Sequence, residues 1–182
     1  MADTVKPSRA DLLAARDKTL RDVIGVNLRV LFCGINPGLY SGATGHHFAR
    51  PGNRFWPTIY LAGFTPRQLH PSEQSELLNW GYGITNLVPR TTAAADELSP
   101  EELVSGRKRL IGRIKRYRPR VLAVLGIGAY RTAFQKPKAS LGLQTERIEN
   151  SILWVLPNPS GLNAHYQLSD LVEQFQKLRQ AV

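Results

Sequence analysis

Apolar positions along this chain fall into two rhythms, and the alternation between them predicts its layers. Short runs at 28–33, 83–88, 120–125 and 152–156 are rich in apolar or β-branched residues and read as strands, and the more polar run at 143–148 reads as a further one. The last two along the chain are joined by the polar turn Glu149-Asn150-Ser151. Between them lie stretches with helical spacing. Residues 9–24 place Leu12, Leu13, Leu20 and Val23 or Ile24 on one stripe, and residues 168–181 do the same with Leu168, Leu171, Val172, Phe175 and Leu178. Helices are also expected at 53–62, opened by Asn53 and stopped near Gly63, and at 71–79 and 128–134. The helix at 100–116 carries Glu101 and Glu102 in its first turn and bases toward its end, as the helix dipole prefers. Strands alternating with helices predict a three-layer α/β/α sandwich around a short, largely parallel sheet. One domain over 1–182 is expected, with 1–8 flexible and the helix at 9–24 capping the core.

Composition narrows the chemistry. A chain of 182 residues, 42% hydrophobic, can bury a core without disulfides or metal. No apolar run approaches the ~20 residues of a bilayer span. The first 25 residues are too charged to hold a signal sequence, so a cytoplasmic protein is expected. Cys33 is the only cysteine, which excludes an intrachain disulfide or a cysteine cluster; inside an apolar strand it reads as a small buried hydrophobe. His46, His47, His70 and His165 lack ligand spacing, so no metal is expected, and His46 and His47 read as polar loop groups. Gly126-Ile127-Gly128 after a strand falls short of a dinucleotide fingerprint, because Arg131 stands where the third glycine belongs. No cofactor is expected.

The net charge of +10 and pI near 10.2 favour an anionic partner, nucleic acid above all, without distinguishing DNA from RNA. Eight of the bases in this balance, Arg107, Lys108, Arg109, Arg113, Lys115, Arg116, Arg118 and Arg120, lie in one stretch but spread around a helix, so a solvated face remains open beside a nucleic-acid contact.

Two Asn-Pro loops carry the candidate chemistry. Gly34-Ile35-Asn36-Pro37-Gly38 follows the strand at 28–33, and Asn158-Pro159-Ser160-Gly161-Leu162 follows the strand at 152–156. Loops leaving the carboxyl ends of parallel strands gather along one edge, so the two are expected to face one pocket. Each offers an amide that donates and accepts hydrogen bonds but is no strong base. The run from 34 to 56 is long for a strand-to-helix connection and rich in glycine and aromatics, which points to function. Phe48 within it suits either core packing or stacking on a base.

The motifs GINPGLYSGATGHHFARPGNRFW, GITNLVPRTTAAADEL, VLAVLG and WVLPNPSGL, in this order, resemble the mismatch-specific uracil-DNA glycosylases, bacterial relatives of thymine-DNA glycosylase within the uracil-DNA glycosylase superfamily. The resemblance covers roughly residues 27–180. It implies hydrolysis of the N-glycosidic bond of uracil mispaired with guanine in double-stranded DNA, with thymine or etheno-cytosine as further substrates. The base is flipped into a pocket and an abasic site remains.

By the same resemblance Asn36 orients the attacking water, Phe48 stacks on the flipped base, and Ile35, Phe48 and Asn158 contact its polar edge. Gly38 stands where stricter relatives carry a Tyr that blocks a C5 methyl group. Leu162 is the wedge that fills the vacated stack, with Gly161 and Asn163 approaching the orphaned guanine. Ser41, Asn86 and His165 belong to the pocket or the DNA backbone contacts.

The sequence departs from the family pattern at two places. Asn163-Ala164-His165 follows the wedge where an Arg is usual, leaving His165 as its possible replacement, and Asn86 stands where some bacterial members carry Lys. Asp96 is a second candidate for activating water, with an ordinary polar loop as the alternative. No Lys lies in either Asn-Pro loop, so a monofunctional glycosylase without a lyase step is expected, and a monomer is the default in the absence of an evident exposed apolar stripe. A noncatalytic nucleic-acid-binding module and a hydrolase of free nucleotides are the competing readings.

Overall fold

The computed structural model describes residues 6–182. Five strands form one sheet in the order β2-β1-β3-β5-β4: β1 is Val30–Gly34, β2 Tyr82–Asn86, β3 Val121–Leu125, β4 Gly142–Ile148 and β5 Ser151–Leu156. The pairs β1–β2, β1–β3 and β3–β5 are parallel, and β4 runs antiparallel to β5 across the expected turn. The three-layer, mostly parallel arrangement read from the sequence is therefore the fold. β1, β2 and β3 are buried at every position, as parallel strands covered on both faces must be.

Alternate side chains supply two cores. Val30, Phe32, Val121, Ala123 and Leu125 face a layer containing α3 (Phe55–Leu61), the 3₁₀ segment Pro71–Trp80 and α6 (Leu168–Gln180). Phe32 stands at its centre, with ring centroids of Phe55, Phe64 and Phe175 at 5.5, 5.3 and 6.1 Å. Leu31, Cys33, Leu122 and Val124 face the other layer, which holds α4 (Pro100–Tyr117) and α5 (Ile127–Ala133). Burial pushes the Cys33 thiol up to about 12, which agrees with a packing role.

The expected helix at 9–24 is corrected. Helix α1 spans only Arg9–Ala14, with Ser8 and Asp11 forming its capping box. Beyond Asp17, at φ 61°, the chain turns extended. Val23 exchanges backbone hydrogen bonds with Ile84, at 2.8 and 2.7 Å, and Thr19 bridges Arg90. The reason is the sheet edge. β2 has only β1 beside it, so its outer N–H and C=O groups need a partner, and that need overrides the helical spacing. Of the segment expected to be flexible, residues 1–5 lie outside the described residues and Ser8 is fixed as the cap.

Two further departures matter less. Residues 71–80 wind as a 3₁₀ helix, with only Leu77 buried and hence no broad apolar stripe to impose the α period. The run from 34 to 56 contains a short helix, α2 (Leu39–Thr44), entered through Gly38 and stopped by left-handed Gly45.

Candidate active site

The carboxyl ends of β1, β2 and β5 release the loops that build a cleft of about 120 Å³. It lies beyond β1, where the chain order reverses between β2 and β3, the usual place for a ligand in an open α/β sheet. Backbone bonds lock the loops together: Leu87 and Val88 N–H donate to Gly34 and Ile35 carbonyls at 2.9 Å, and Thr92 N–H donates to Pro37 at 3.2 Å. The volume is below that of a drug-sized pocket and suits a single ring. A larger hollow of about 430 Å³ lies between α1, α2, His46 and His70, but the paired Asn loops do not reach it.

The Asn36 amide is held in one orientation. Its Nδ2 sits 2.7 Å from Thr92 Oγ1, 3.0 Å from the Arg90 carbonyl and 3.3 Å from the Pro37 carbonyl. Thr92 donates its own hydroxyl proton to the Ala94 carbonyl at 2.7 Å, so its oxygen accepts from Asn36. Three acceptors around one side of the amide fix Nδ2 there and leave Oδ1 as the acceptor offered to the cleft. Arg90 in turn is tied to Glu102 at 2.6 Å and Asp17 at 3.1 Å, which steadies the carbonyl beneath Asn36. The Arg90 guanidinium holds the Glu102 carboxyl down at about 2.

Asn86, at the end of β2, is built in similarly. Its carbonyl accepts from Arg113 at 3.1 Å, and its Nδ2 meets His47 Nδ1 at 3.3 Å. His47 Nε2 lies 2.8 Å from the Arg21 carbonyl, so that nitrogen carries the proton and Nδ1 accepts from Asn86. Burial holds the His47 imidazole below its usual value, against the Arg21 carbonyl and Asp22, so the ring is neutral near pH 7. Asn86 Oδ1 then faces Gly34, where a Cβ would stand 2.7 Å from it and 3.3 Å from Phe48 Cζ. Only glycine leaves that floor open.

Phe48 takes the core-packing reading and also reaches the cleft. Its ring stacks on Phe55 at 4.1 Å and packs against the core, while it also lines the cleft. Its φ of 53° is unusual for an aromatic residue and aims the ring from the loop. On the opposite wall, Asn158 Oδ1 accepts from Ser160 N–H at 3.0 Å, which leaves Asn158 Nδ2 as a donor. Among the described residues the lining contains no carboxylate; Asn36, Asn53, Asn86 and Asn158 give it four amides, beside Ser41, His47, Thr92, Ser160 and the exposed Arg50.

Of the sequence candidates, Ile35, Asn36, Gly38, Ser41, Phe48, Asn86, Asn158 and Leu162 come together around this cleft. Ser41 is buried and spends its hydroxyl accepting from Ala49 N–H at 3.2 Å. Gly38 is exposed, and a Cβ there would meet nothing within 4 Å. Leu162 is 66% exposed at the loop tip, far from the behaviour of a core leucine. Gly161 packs where a Cβ would stand 2.6 Å from the Gly52 carbonyl. Asn163 and His165 lie outside the cleft lining. The Asn163 side chain donates to the Asn158 carbonyl at 3.0 Å and accepts from His165 N–H at 3.2 Å. Asp96 is exposed on the turn Ala95–Glu97; Ala93, Ala94 and Ala95 line the cleft and Asp96 does not.

Sequence reasoning passed over His47, Thr92 and Leu20. His47, expected as a polar loop group, is 2% exposed and part of the wall. Thr92 had no local signal, since its role depends on a contact with Asn36, 56 positions away. Leu20 reaches the cleft only because residues 18–24 are extended.

An amide-lined slot thus stands at the carboxyl edge of a parallel sheet, with the exposed apolar tip of Leu162 beside it. The uracil DNA glycosylase superfamily model matches residues 22–181, and the chain belongs to that superfamily, a group of glycosylase hydrolases that act on DNA. Among the described residues no helix is long and apolar enough to cross a membrane.

Proposed function

We propose that this protein is a monofunctional, mismatch-directed uracil-DNA glycosylase, acting as a cytoplasmic monomer on guanine-uracil mispairs in duplex DNA. The observation that carries the reading is the fixed Asn36 amide in a slot lined by amides and no carboxylate. An amide accepts a hydrogen bond from water but cannot take its proton as carboxylates do. The glycosidic bond must then break largely before water attacks, with Asn36 Oδ1 placing the water and easing positive charge on the sugar. Cleavage is consequently slow.

Phe48 offers a face for the extruded base, and Asn86 Oδ1 and Asn158 Nδ2 offer one acceptor and one donor. Uracil presents both an imino N–H and carbonyl oxygens, which match that pair. The open space at Gly38 accommodates a C5 substituent, so thymine and etheno-cytosine are weaker substrates rather than excluded ones. A mispaired uracil is the least costly to extrude, since unpairing takes about a few kcal/mol and a mismatch lowers it. Leu162 fills the gap it leaves.

The test is single-turnover release of uracil from duplexes carrying one guanine-uracil or one adenine-uracil pair, and from single strands. Release from the mispair that exceeds release from the adenine pair and disappears in Asn36→Ala supports the proposal. Equal release from both pairs removes the mismatch preference, and DNA binding without release removes the enzyme.

A further inference from the structure

The loop carrying Leu162 is held from outside by a single side chain among the described residues, and that side chain is Arg54. Its Nη2 donates to the Ser160 carbonyl at 2.5 Å and the Asn163 carbonyl at 2.9 Å, and its Nη1 donates to the Tyr166 carbonyl. Its backbone N–H also donates to the Pro159 carbonyl at 3.0 Å. Four carbonyls from 159 to 166 therefore converge on one residue of the segment before α3. The remaining guanidinium nitrogen, Nε, is buried with no partner.

Arg54 is consequently a poor candidate for the phosphate contacts that other surface cations offer. Its forked donors are already committed to backbone oxygens, and its Nε is shielded from solvent. The planar fork is the feature that matters, because it serves carbonyls at three separate places in a turn at once, as a lysine ammonium does less well. The loop's own bonds are local: Ser160 N–H to Asn158, Asn163 N–H to the Ser160 carbonyl, and Leu162 N–H to Ser160 Oγ at 3.3 Å. They shape the turn without fixing it to the body of the protein. Close approach of Gly161 to Gly52 supplies the second point of attachment, on the same segment.

We propose that Arg54 is a positioning residue that braces the wedge loop, so that Leu162 is presented rigidly to the base stack. A side chain entering a stack must push against it, and a loop free to yield would transmit little of that push. The inference rests on the reading of Leu162 as the wedge. It places the coupling between base recognition and duplex opening in the short segment Gly52-Asn53-Arg54, which contacts the wedge loop on one side and supplies Asn53 to the cleft on the other.

The experiment follows base extrusion apart from chemistry. The full-length Asn36→Ala protein is bound at saturation to a duplex carrying 2-aminopurine beside a guanine-uracil mispair, and the fluorescence rise on unstacking is read. Arg54→Met in that background is expected to lower the extruded-to-stacked ratio about tenfold while the duplex still binds. Arg54→Lys, which keeps the charge without the fork, is expected to fall between the two. A Lys variant equal to the parent overturns the proposal, since charge alone would then suffice. The far-ultraviolet spectrum and thermal midpoint identify a variant that fails to fold, and in that case the Lys variant decides.

Leu162→Ala in the same background separates this proposal from the reading beneath it. If Leu162→Ala leaves the fluorescence rise intact, the wedge reading itself fails. If Leu162→Ala abolishes the rise and the Arg54 variants keep it, only the brace is overturned.

Discussion

Replacing Asn36 with Asp exchanges an amide NH₂ for an oxygen of nearly the same shape, and the cage around Nδ2 gives the consequence. Thr92 Oγ1, the Arg90 carbonyl and the Pro37 carbonyl all present lone pairs to that atom at 2.7 to 3.3 Å. The two N–H protons serve two of these acceptors well, whereas a carboxylate pairs with neither carbonyl and accepts from Thr92 only if that hydroxyl gives up the Ala94 carbonyl. Leaving a partly buried acceptor unpaired costs about 1–3 kcal/mol. Two of them therefore oppose the substitution by about 2–6 kcal/mol. Against this stands the stronger basicity of a carboxylate, worth about 10²–10⁴ in rate when it is well placed.

Placement decides between them, because the carboxylate can relieve the repulsion only by turning away from the cage or by keeping a proton. Both remove the base from its post. Since about 1.4 kcal/mol equals a factor of ten, Asn36→Asp is expected to release uracil at least about tenfold more slowly than wild type at pH 7. The acceptors also raise the pKa of the new carboxyl. A group that binds its proton more tightly when folded loses stability for the protein as pH rises, from the ordinary Asp range of about 4 through its raised folded value. The variant should accordingly be less stable at pH 8 than at pH 5, relative to wild type, in urea denaturation. Single-turnover assays on the guanine-uracil duplex complete the test. An Asp variant as fast as wild type and equally stable at pH 8 would refute the acceptor cage.

Other outcomes follow from the same geometry. Gly38→Tyr has open space and ordinary backbone angles, φ −77° and ψ 164°, so it should fold normally and raise the preference for uracil over thymine, with about 1–3 kcal/mol available to the discrimination; an unchanged ratio in competition assays would place the C5 side of the base elsewhere. Burial lowers the His47 pKa from 6.5, so below pH 6.5 the unfolded chain takes up a proton that the folded ring resists. Stability and the His47–Asn86 bond should both decline as pH falls below that point, and His47→Gln should remove this acid limb from the rate profile; a Gln variant with the wild-type profile would exclude His47 as its source. Phe175→Ala empties a fully buried place beside Phe32 and should cost about 3–5 kcal/mol in urea denaturation, with residual activity per folded molecule unchanged.

Much of the frame was legible because its causes are local. Continuous apolar runs at 120–125 and 152–156 become β3 and β5, and the acidic start and basic end of 100–116 become α4. The Asn-Pro loops meet because parallel strands send their carboxyl ends to one edge. The segment at 9–24 misleads for the converse reason. Its apolar spacing is compatible with a helix, and only the unpaired edge of β2, about 60 residues away along the chain, draws Val23 into an extended bridge.

The sequence by itself determined the alternation of strands and helices, the buried character of Cys33, and the two amide-bearing loops, since each depends on neighbours a few residues apart. Tertiary structure decided the orientation of Asn36 and Asn86 and the anchoring of the second loop, whereas Asn158 is turned locally by Ser160. Thr92 turns Asn36, His47 turns Asn86, and Arg54 holds the loop of Leu162, across separations of 56, 39 and about 110 positions. Hydrogen-bond direction is set by the atoms that converge in space, and no periodicity or spacing along the chain records which distant donor will meet which acceptor.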